Sequence, residues 1–383
     1  MVIPSLREMI ARVVAEPSVS SVHPGFDQGN RAVIAHLAEW LEALGFRIEI
    51  QDLPGHADKA NLIATLGPDG DEGLIFSGHT DTVPCDPALW RSDPFTLTER
   101  DGRLYGLGSA DMKSFLPLVI ETVRGMRLRD LRRPLVVLAT ADEESSMDGA
   151  QALVDAGRRL GRYAVIGEPT SLRPIRMHKG ILMDRITLTG RAGHSSNPAL
   201  GVSALEGMHT VIAAILEWRS TIQAANRNPA FEVPVPTLNL GHIHGGDNPN
   251  RICGHCELHY DLRLLPGMDN EAMRADLLAH LRRTLGASEL RLAMDALFAG
   301  IPPFETPADS AIVRACEELT GRASGAVAFA TEGPFFRQLD IETVVCGPGN
   351  IDQAHQPDEY LAIDQLQPCM DMVDGLVRRF CLR

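Results

Sequence analysis

Apolar positions along the chain follow two different rhythms. Between Leu74 and about Val165, short unbroken apolar runs ("LIFSG", "LVVLATA", "YAVIG") alternate with stretches whose apolar residues recur at helical spacing ("DMKSFLPLVIETVRGM", "GAQALVDAGRRL"). The first helical stretch closes on a glycine and basic residues, a usual stop signal. Unbroken apolar strands separated by helices predict a doubly wound, mostly parallel sheet covered on both faces.

Near Lys179 the rhythm changes. "ILMDRITLTGRAG" reads as a long strand, "ALEGMHTVIAAILEWRSTI" as a helix, and "TLNLGHIHGG" and "CELHYDLRLLPG" as paired strands. "NEAMRADLLAHLRRTLG" is a further helix and "ELRLAM" a further strand. This β-α-β-β-α-β order is the signature of a ferredoxin-like α+β sandwich. After "IPPFETP" the first pattern returns with "DSAIVRACEELTG", "TVVCG" and the helix "QLQPCMDMVDGLVRRF". The expectation is an α/β domain from residues 1–178 and 297–383, interrupted by a small domain at 179–296.

Size agrees with that division, because 383 residues exceed the roughly 250–300 that one core supports. No stretch approaches the roughly 18–20 consecutive apolar residues of a membrane helix. The start, "MVIPSLREMIARVVAEPS", carries charge through its apolar positions, as an amphipathic helix does and a signal peptide does not. A net charge of −14 argues against nucleic acid or an anionic membrane as partner. Seven scattered cysteines, an odd number, suit reduced thiols and a cytoplasmic setting.

Candidate chemistry gathers just past the predicted strands. Five polar clusters stand there: "GHTD" with His79 and Asp81, "GSADMK" with Asp111, "ADEES" with Glu143 and Glu144, "GEPT" with Glu168, and "NIDQAHQPDE" with His355. Open α/β sheets bind ligands beyond the carboxyl ends of their strands, so topology brings these residues to one rim. Two carboxylates at about 5 Å repel by about 3 kcal/mol at an effective dielectric near 20. Gathering so many costs several times that, or forces protonation, unless divalent cations neutralise them. Two histidines with three or more carboxylates suit zinc or cobalt, whereas an all-oxygen set would suit magnesium or calcium. Singly each cluster has an ordinary reading: a loop histidine, a helix cap at Asp111, a solvated "DEE" turn. Their joint placement is what argues for a metal centre.

Taken in order, "SGHTDTVP", "DPFTLTERDGRLYGLGSADMKSF", "LATADEESSMDGA", "IGEPTSL", "TLNLGHIHGGDNPNRIC", "DLRLLPGM" and "GPGNIDQAHQPDEYL" resemble the cocatalytic zinc amidohydrolases, which include succinyl-diaminopimelate desuccinylase, aminoacylases and glutamate-releasing carboxypeptidases. The likeness runs from end to end. It implies two Zn2+ ions, replaceable by Co2+, with His79 and Glu168 on one, Glu144 and His355 on the other, and Asp111 bridging. Asp81 would orient His79, and Gly78 would allow the chain a sharp exit from the sheet. Glu143 would be the general base.

The resemblance also implies a homodimer through the small domain, in which His194 stabilises the oxyanion in the partner's site. Asn250 and Arg263 would hold a substrate α-carboxylate, Arg263 through its bidentate fork. The implied reaction is hydrolysis of N2-acetyl-L-ornithine to L-ornithine and acetate, within arginine biosynthesis. Succinyl-diaminopimelate, acetylcitrulline or a dipeptide are the alternatives. Glu332 in "ATEGPFF" is a candidate contact for a substrate ammonium, or else part of a solvated turn. Gly193 and Ser114 depart from the family's more usual Ala and Gly at those places.

Two other motifs carry nothing. "CGHCELH" lacks a second cysteine pair, and strand alternation would turn Cys253 and Cys256 to opposite faces. "GLGSAD" lacks the third glycine and the βαβ setting of a dinucleotide site.

Overall fold

Ser5 opens the first helix through a capping box: its hydroxyl accepts the Glu8 N–H while the Glu8 carboxylate accepts the Ser5 N–H. The computed structural model describes residues 3–382. By its internal packing the chain divides into two units, one of Met1–Arg176, Thr306–Gly325 and Thr331–Arg383, the other of Met177–Glu305 and Ala326–Ala330.

The first unit begins with α1 (Leu6–Ala15), α2 (Arg31–Ala43), β1 (Arg47–Asp52), β2 (Ala60–Leu66), β3 (Leu74–His79), α3 (Phe115–Arg124), β4 (Leu135–Thr140), α4 (Asp148–Asp155) and β5 (Tyr163–Ile166). The second unit is β6 (Gly180–Thr189), α5 (Ala204–Ala225), β7 (Thr237–Gly245), β8 (His255–Leu264), α6 (Asn270–Leu285) and β9 (Arg291–Ala296). The first unit then resumes with α7 (Ala311–Thr320), α8 (Gly333–Gln338), β10 (Glu342–Val345) and α9 (Leu366–Phe380).

In the first unit β4, β3, β5 and β10 lie side by side and parallel, and β2 and β1 extend the β4 edge in antiparallel fashion. Every residue of β3 and β4 is buried, as strands covered on both faces require. Helices α1, α2, α3, α7 and α9 supply apolar stripes to one core with Leu74, Phe76, Val137 and Val165. Since β4, β3 and β5 run parallel, their carboxyl ends share an edge. His79 stands opposite Thr140, and Ser77 opposite Ile166.

The antiparallel pair β1 and β2 does not stand out in the hydrophobic pattern, whereas α2 buries Val33, Ile34, Leu37, Trp40 and Leu41 at helical spacing. β1 ("RIEIQD") has no buried residue, and Asn61 breaks the apolar run of β2. Asn61 is buried because its amide links three segments: Oδ1 accepts the Ala141 N–H, and Nδ2 donates to Gln51 and to the Gly149 carbonyl.

The second unit is a four-stranded antiparallel sheet in the order β7-β8-β6-β9. Burial alternates along β6 and β8, so one face packs under α5 and α6 and the other does not. Cys253 lies ahead of β8, so strand alternation does not govern it; its Sγ donates to the His255 carbonyl. All seven cysteines are free thiols. Among the described residues no helix is long and apolar enough to cross a membrane.

Two glycines next to the polar clusters are required by close approach. Gly78 stays within β3, paired with Ala139, so a sharp exit is not its role; a Cβ there would lie 2.8 Å from Met112 Cε. At Gly167 a Cβ would fall 2.1 Å from Phe115 Cδ1. Gly167→Ala should therefore destabilise the first unit by about 1–3 kcal/mol through overpacking. Scanning calorimetry checks this: the melting midpoint drops, and an unchanged midpoint would contradict the packing described.

Candidate metal centre

The last residue of β3 is His79, 1% exposed. Its Nε2 lies 3.1 Å from Asp111 Oδ1 and 4.0 Å from Glu168 Oε2. His355 approaches from another direction, with Nε2 3.0 Å from both Glu144 oxygens and 3.6 Å from Asp111 Oδ2. The two oxygens of Asp111 thus face two different imidazoles. One donor atom each from His79, Asp111 and Glu144 lie within 4.8 Å of one another, and so do those of His79, Glu143 and Glu168. All six side chains belong to the first unit.

Local structure explains each placement. Glu143 and Glu144 sit on a tight turn after β4, where Asp142 is left-handed (φ 59°) and its carbonyl accepts the Met147 N–H at 2.6 Å. Lys59, 3% exposed, pins that turn by donating to Asp142 and Asp27, each at 2.7 Å. Asp81 contributes differently from the simple orienter expected. His79 Nδ1 lies 3.0 Å from the Asp81 main-chain carbonyl and 3.6 Å from its carboxylate, whose Oδ2 accepts the Glu144 N–H at 3.0 Å. Asp81 therefore ties two donor-bearing loops together. A proton on Nδ1, donated to that carbonyl, leaves the Nε2 lone pair facing Asp111.

Asp111 rests on a residue that the sequence reading passed over. Glu359, 2% exposed, accepts the backbone N–H groups of Gly108, Ala110 and Asp111. Its only sequence signal is its place inside "DQAHQPDEYL", where it looks like any acidic turn. Lys113, also buried, donates to the Glu16 carbonyl and fastens the same loop to the end of α1.

Burial dominates the electrostatics. It pushes the Glu143 and Glu168 carboxyls well above their ordinary range, reinforced by Glu168 for the first and Asp111 for the second. Glu144 is raised by burial and Asp111, against the pull of His355. Burial lowers His79, but its contacts with Asp111 and Asp81 outweigh that and hold it well above the usual imidazole range. The Glu144 contact lifts His355 to about 8. The metal-free cluster is thus compatible with burial only while it holds protons. Glu168 Oε1 is buried without a hydrogen-bond partner, which is expected where a cation completes the set. Two imidazoles among carboxylates fit a zinc-like ion.

Glu332 needs correction. It is 0% exposed, immediately ahead of α8, and neither carboxyl oxygen has a hydrogen-bond partner. It is neither a solvated turn nor open to a substrate ammonium, since the carboxyl offers no accessible surface. Burial raises it to about 7.

His194, Asn250 and Arg263 belong to the second unit. His194 is exposed, and its Nδ1 lies 2.8 Å from Ser196 Oγ and accepts the Ser196 N–H at 3.2 Å. Asn250 lies on the adjoining loop, its carbonyl accepting the Ser195 N–H. The Arg263 fork is engaged by both oxygens of Asp261, so a substrate carboxylate would compete for it.

The fold is shared with solved metallopeptidases. A metallo-carboxypeptidase of family M20 from Sulfolobus solfataricus superposes with a TM-score of 0.75 at 18% identity, over 98% of this chain and 99% of that one. A dinuclear metal-binding peptidase of the same family from Bacillus subtilis gives 0.66 at 16% identity, over 97% and 96%. In sequence, the family model for peptidase family M20/M25/M40 matches residues 75–379, and the chain belongs to that family. Acetylornithine deacetylase of Edwardsiella ictaluri (strain 93-146) is 46% identical over 381 residues, covering 100% of this chain and 99% of that protein.

Proton holding by the cluster sets a pH dependence for the metal-free chain. The folded chain keeps protons that the unfolded chain has released, on Glu332 between about pH 4.5 and 7, on Glu359 between about 4.5 and 8 and on His355 between about 6.5 and 8, so stability falls as pH rises through these ranges. Metal binding displaces protons from its ligands, His355 among them, and so grows stronger with pH, which opposes the trend. Chelator-stripped protein should melt lower at pH 8 than at pH 6, and zinc should shrink or reverse the difference. A stripped protein that melts higher at pH 8 would refute the proton-holding account.

Glu359→Ala removes the acceptor of three N–H groups. It should lower metal retention on gel filtration, and Glu359→Gln should restore part of it. Equal retention in Glu359→Ala and the parent would show that Glu359 does not position Asp111.

Proposed function

We propose that the chain is a metal-dependent deacetylase that hydrolyses N2-acetyl-L-ornithine to L-ornithine and acetate. The observation that carries this reading is Asp111 set between His79 and His355, one oxygen toward each, with Glu143 beside them. Full-length similarity to the Edwardsiella ictaluri acetylornithine deacetylase supports the substrate.

His79 and Glu168 would hold one ion, Glu144 and His355 the other, and Asp111 would serve both. Zinc is the ion proposed, with cobalt as a substitute. When bound, such ions polarise the acyl carbonyl and make water acidic enough to react near neutral pH. Glu143 takes the proton of the attacking water and delivers it to the leaving amine. Its burial and its carboxylate neighbours keep its proton affinity high, which suits a group that must accept a proton and then release it. Asp81 and Glu359 keep the donor-bearing loops in register.

The second unit offers substrate-facing groups. Acceptance of the Ser196 N–H at His194 Nδ1 places the neutral ring's proton on Nε2, leaving an N–H donor suited to an oxyanion. Asn250 and Arg263 would meet the α-carboxylate, Arg263 after parting from Asp261. We assign the small unit to pairing two chains and the enzyme to the cytoplasm.

Glu143→Gln should lower kcat by about two to four orders of magnitude, the usual range for a lost acid–base group. Zinc measured on the same preparation should stay at the parental level, and retained activity would remove Glu143 from the role. In a substrate panel, acetylornithine should show the highest kcat/KM against succinyl-diaminopimelate, acetylcitrulline and a dipeptide. A higher value for any rival would move the specificity to that substrate.

A further inference from the structure

The open face of the small sheet carries a second constellation. Along β7, Leu238 and Leu240 stand opposite Leu262 and Tyr260, on the face that packs under the helices. A plain two-residue period would keep His242 on that face. Gly241 is an extra residue in the ladder, however, and pairing shifts from Leu240↔Tyr260 to His242↔His259. The bulge turns His242 to the opposite face, beside His259, and Glu257 projects there too, two residues before His259.

The three side chains converge. The two imidazole centroids are 4.5 Å apart, with planes inclined by 37°. One donor atom from each of His242, Glu257 and His259 lie within 4.8 Å of one another. His259 Nε2 is shielded from solvent, has no hydrogen-bond partner, and lies 3.8 Å from Glu257 Oε1. An imidazole nitrogen left so is uncommon, and a cation between it and the carboxylate would satisfy it.

We infer that His242, Glu257 and His259 form a separate binding site for a divalent transition-metal ion. Two imidazoles with one carboxylate select zinc, nickel or copper over magnesium or calcium, and three protein donors leave a coordination position for water. The ion would staple β7, at the edge of its sheet among the described residues, to β8. The site lies wholly within the second unit and does not depend on the reaction proposed above.

Zinc titrated into enzyme whose catalytic ions are already loaded tests this. One further equivalent per chain is expected to bind, and to be lost in both His242→Ala and His259→Ala while turnover of acetylornithine is unchanged. Absence of the further equivalent, or its retention in either variant, overturns the site. A second measurement needs no variant. Zinc should shield His242 and His259 of the parent enzyme from diethylpyrocarbonate, read by peptide mass spectrometry, and leave His209, exposed on α5, as reactive as before. Unaltered modification of His242 and His259 would likewise overturn it.

Discussion

The structure is organised around one electrostatic constraint: several carboxyl groups, two buried and two partly buried, must share one small volume. Four of them lie close to the two imidazoles: Glu144 at 3.0 Å from His355, Asp111 at 3.1 Å and Glu168 at 4.0 Å from His79, and Glu143 within 4.8 Å of His79. Burial opposes each negative charge and neighbours oppose it further, so the metal-free chain answers with protons. A pair of dications answers the same demand without protons. The backbone features around the site follow from it: the turn at Asp142, the N–H groups collected by Glu359, and the link from Asp81 to the Glu144 amide.

Parallel topology is what makes such a gathering possible. His79, Glu143, Glu144 and Glu168 follow three neighbouring strands of common direction, so separations of tens of residues in sequence collapse to a few ångströms. Hence these four could be picked out as candidates from the sequence: His79, Glu143, Glu144 and Glu168 each end or follow an apolar run recognisable as a buried strand, while Asp111 precedes a helix and His355 follows a strand and loop. The small domain's strand and helix order was readable for a similar reason.

Other parts were not legible, and the reasons are physical. Glu359 and Glu332 look in sequence like acidic turn residues. Their burial is decided by how distant segments fold over them, and no local pattern encodes it. Lys59 and Asn61 hide in the same way, as polar residues that would ordinarily mark exposure but here close internal hydrogen-bond networks. Gly78 misled for a related reason. A glycine beside a loop suggests a turn, while the actual demand is space for Met112, a contact between residues more than thirty positions apart.

The division of labour between the units follows from where the titrating groups sit. Every side chain proposed to hold the catalytic ions, and the proposed base, lie in the first unit, so the coupling between catalytic-ion binding and folding is confined there. An ion that binds only the folded arrangement stabilises it by mass action, and that stabilisation acts on the loops which otherwise carry the electrostatic penalty. The second unit has no comparable burden. Its acidic and basic groups stay mostly near the surface, and a deeply placed ion pair, Arg274 with Asp184, brings opposite charges together. His194, Asn250 and Arg263, on its loops and strand ends, are not among the groups whose charges the first unit must balance.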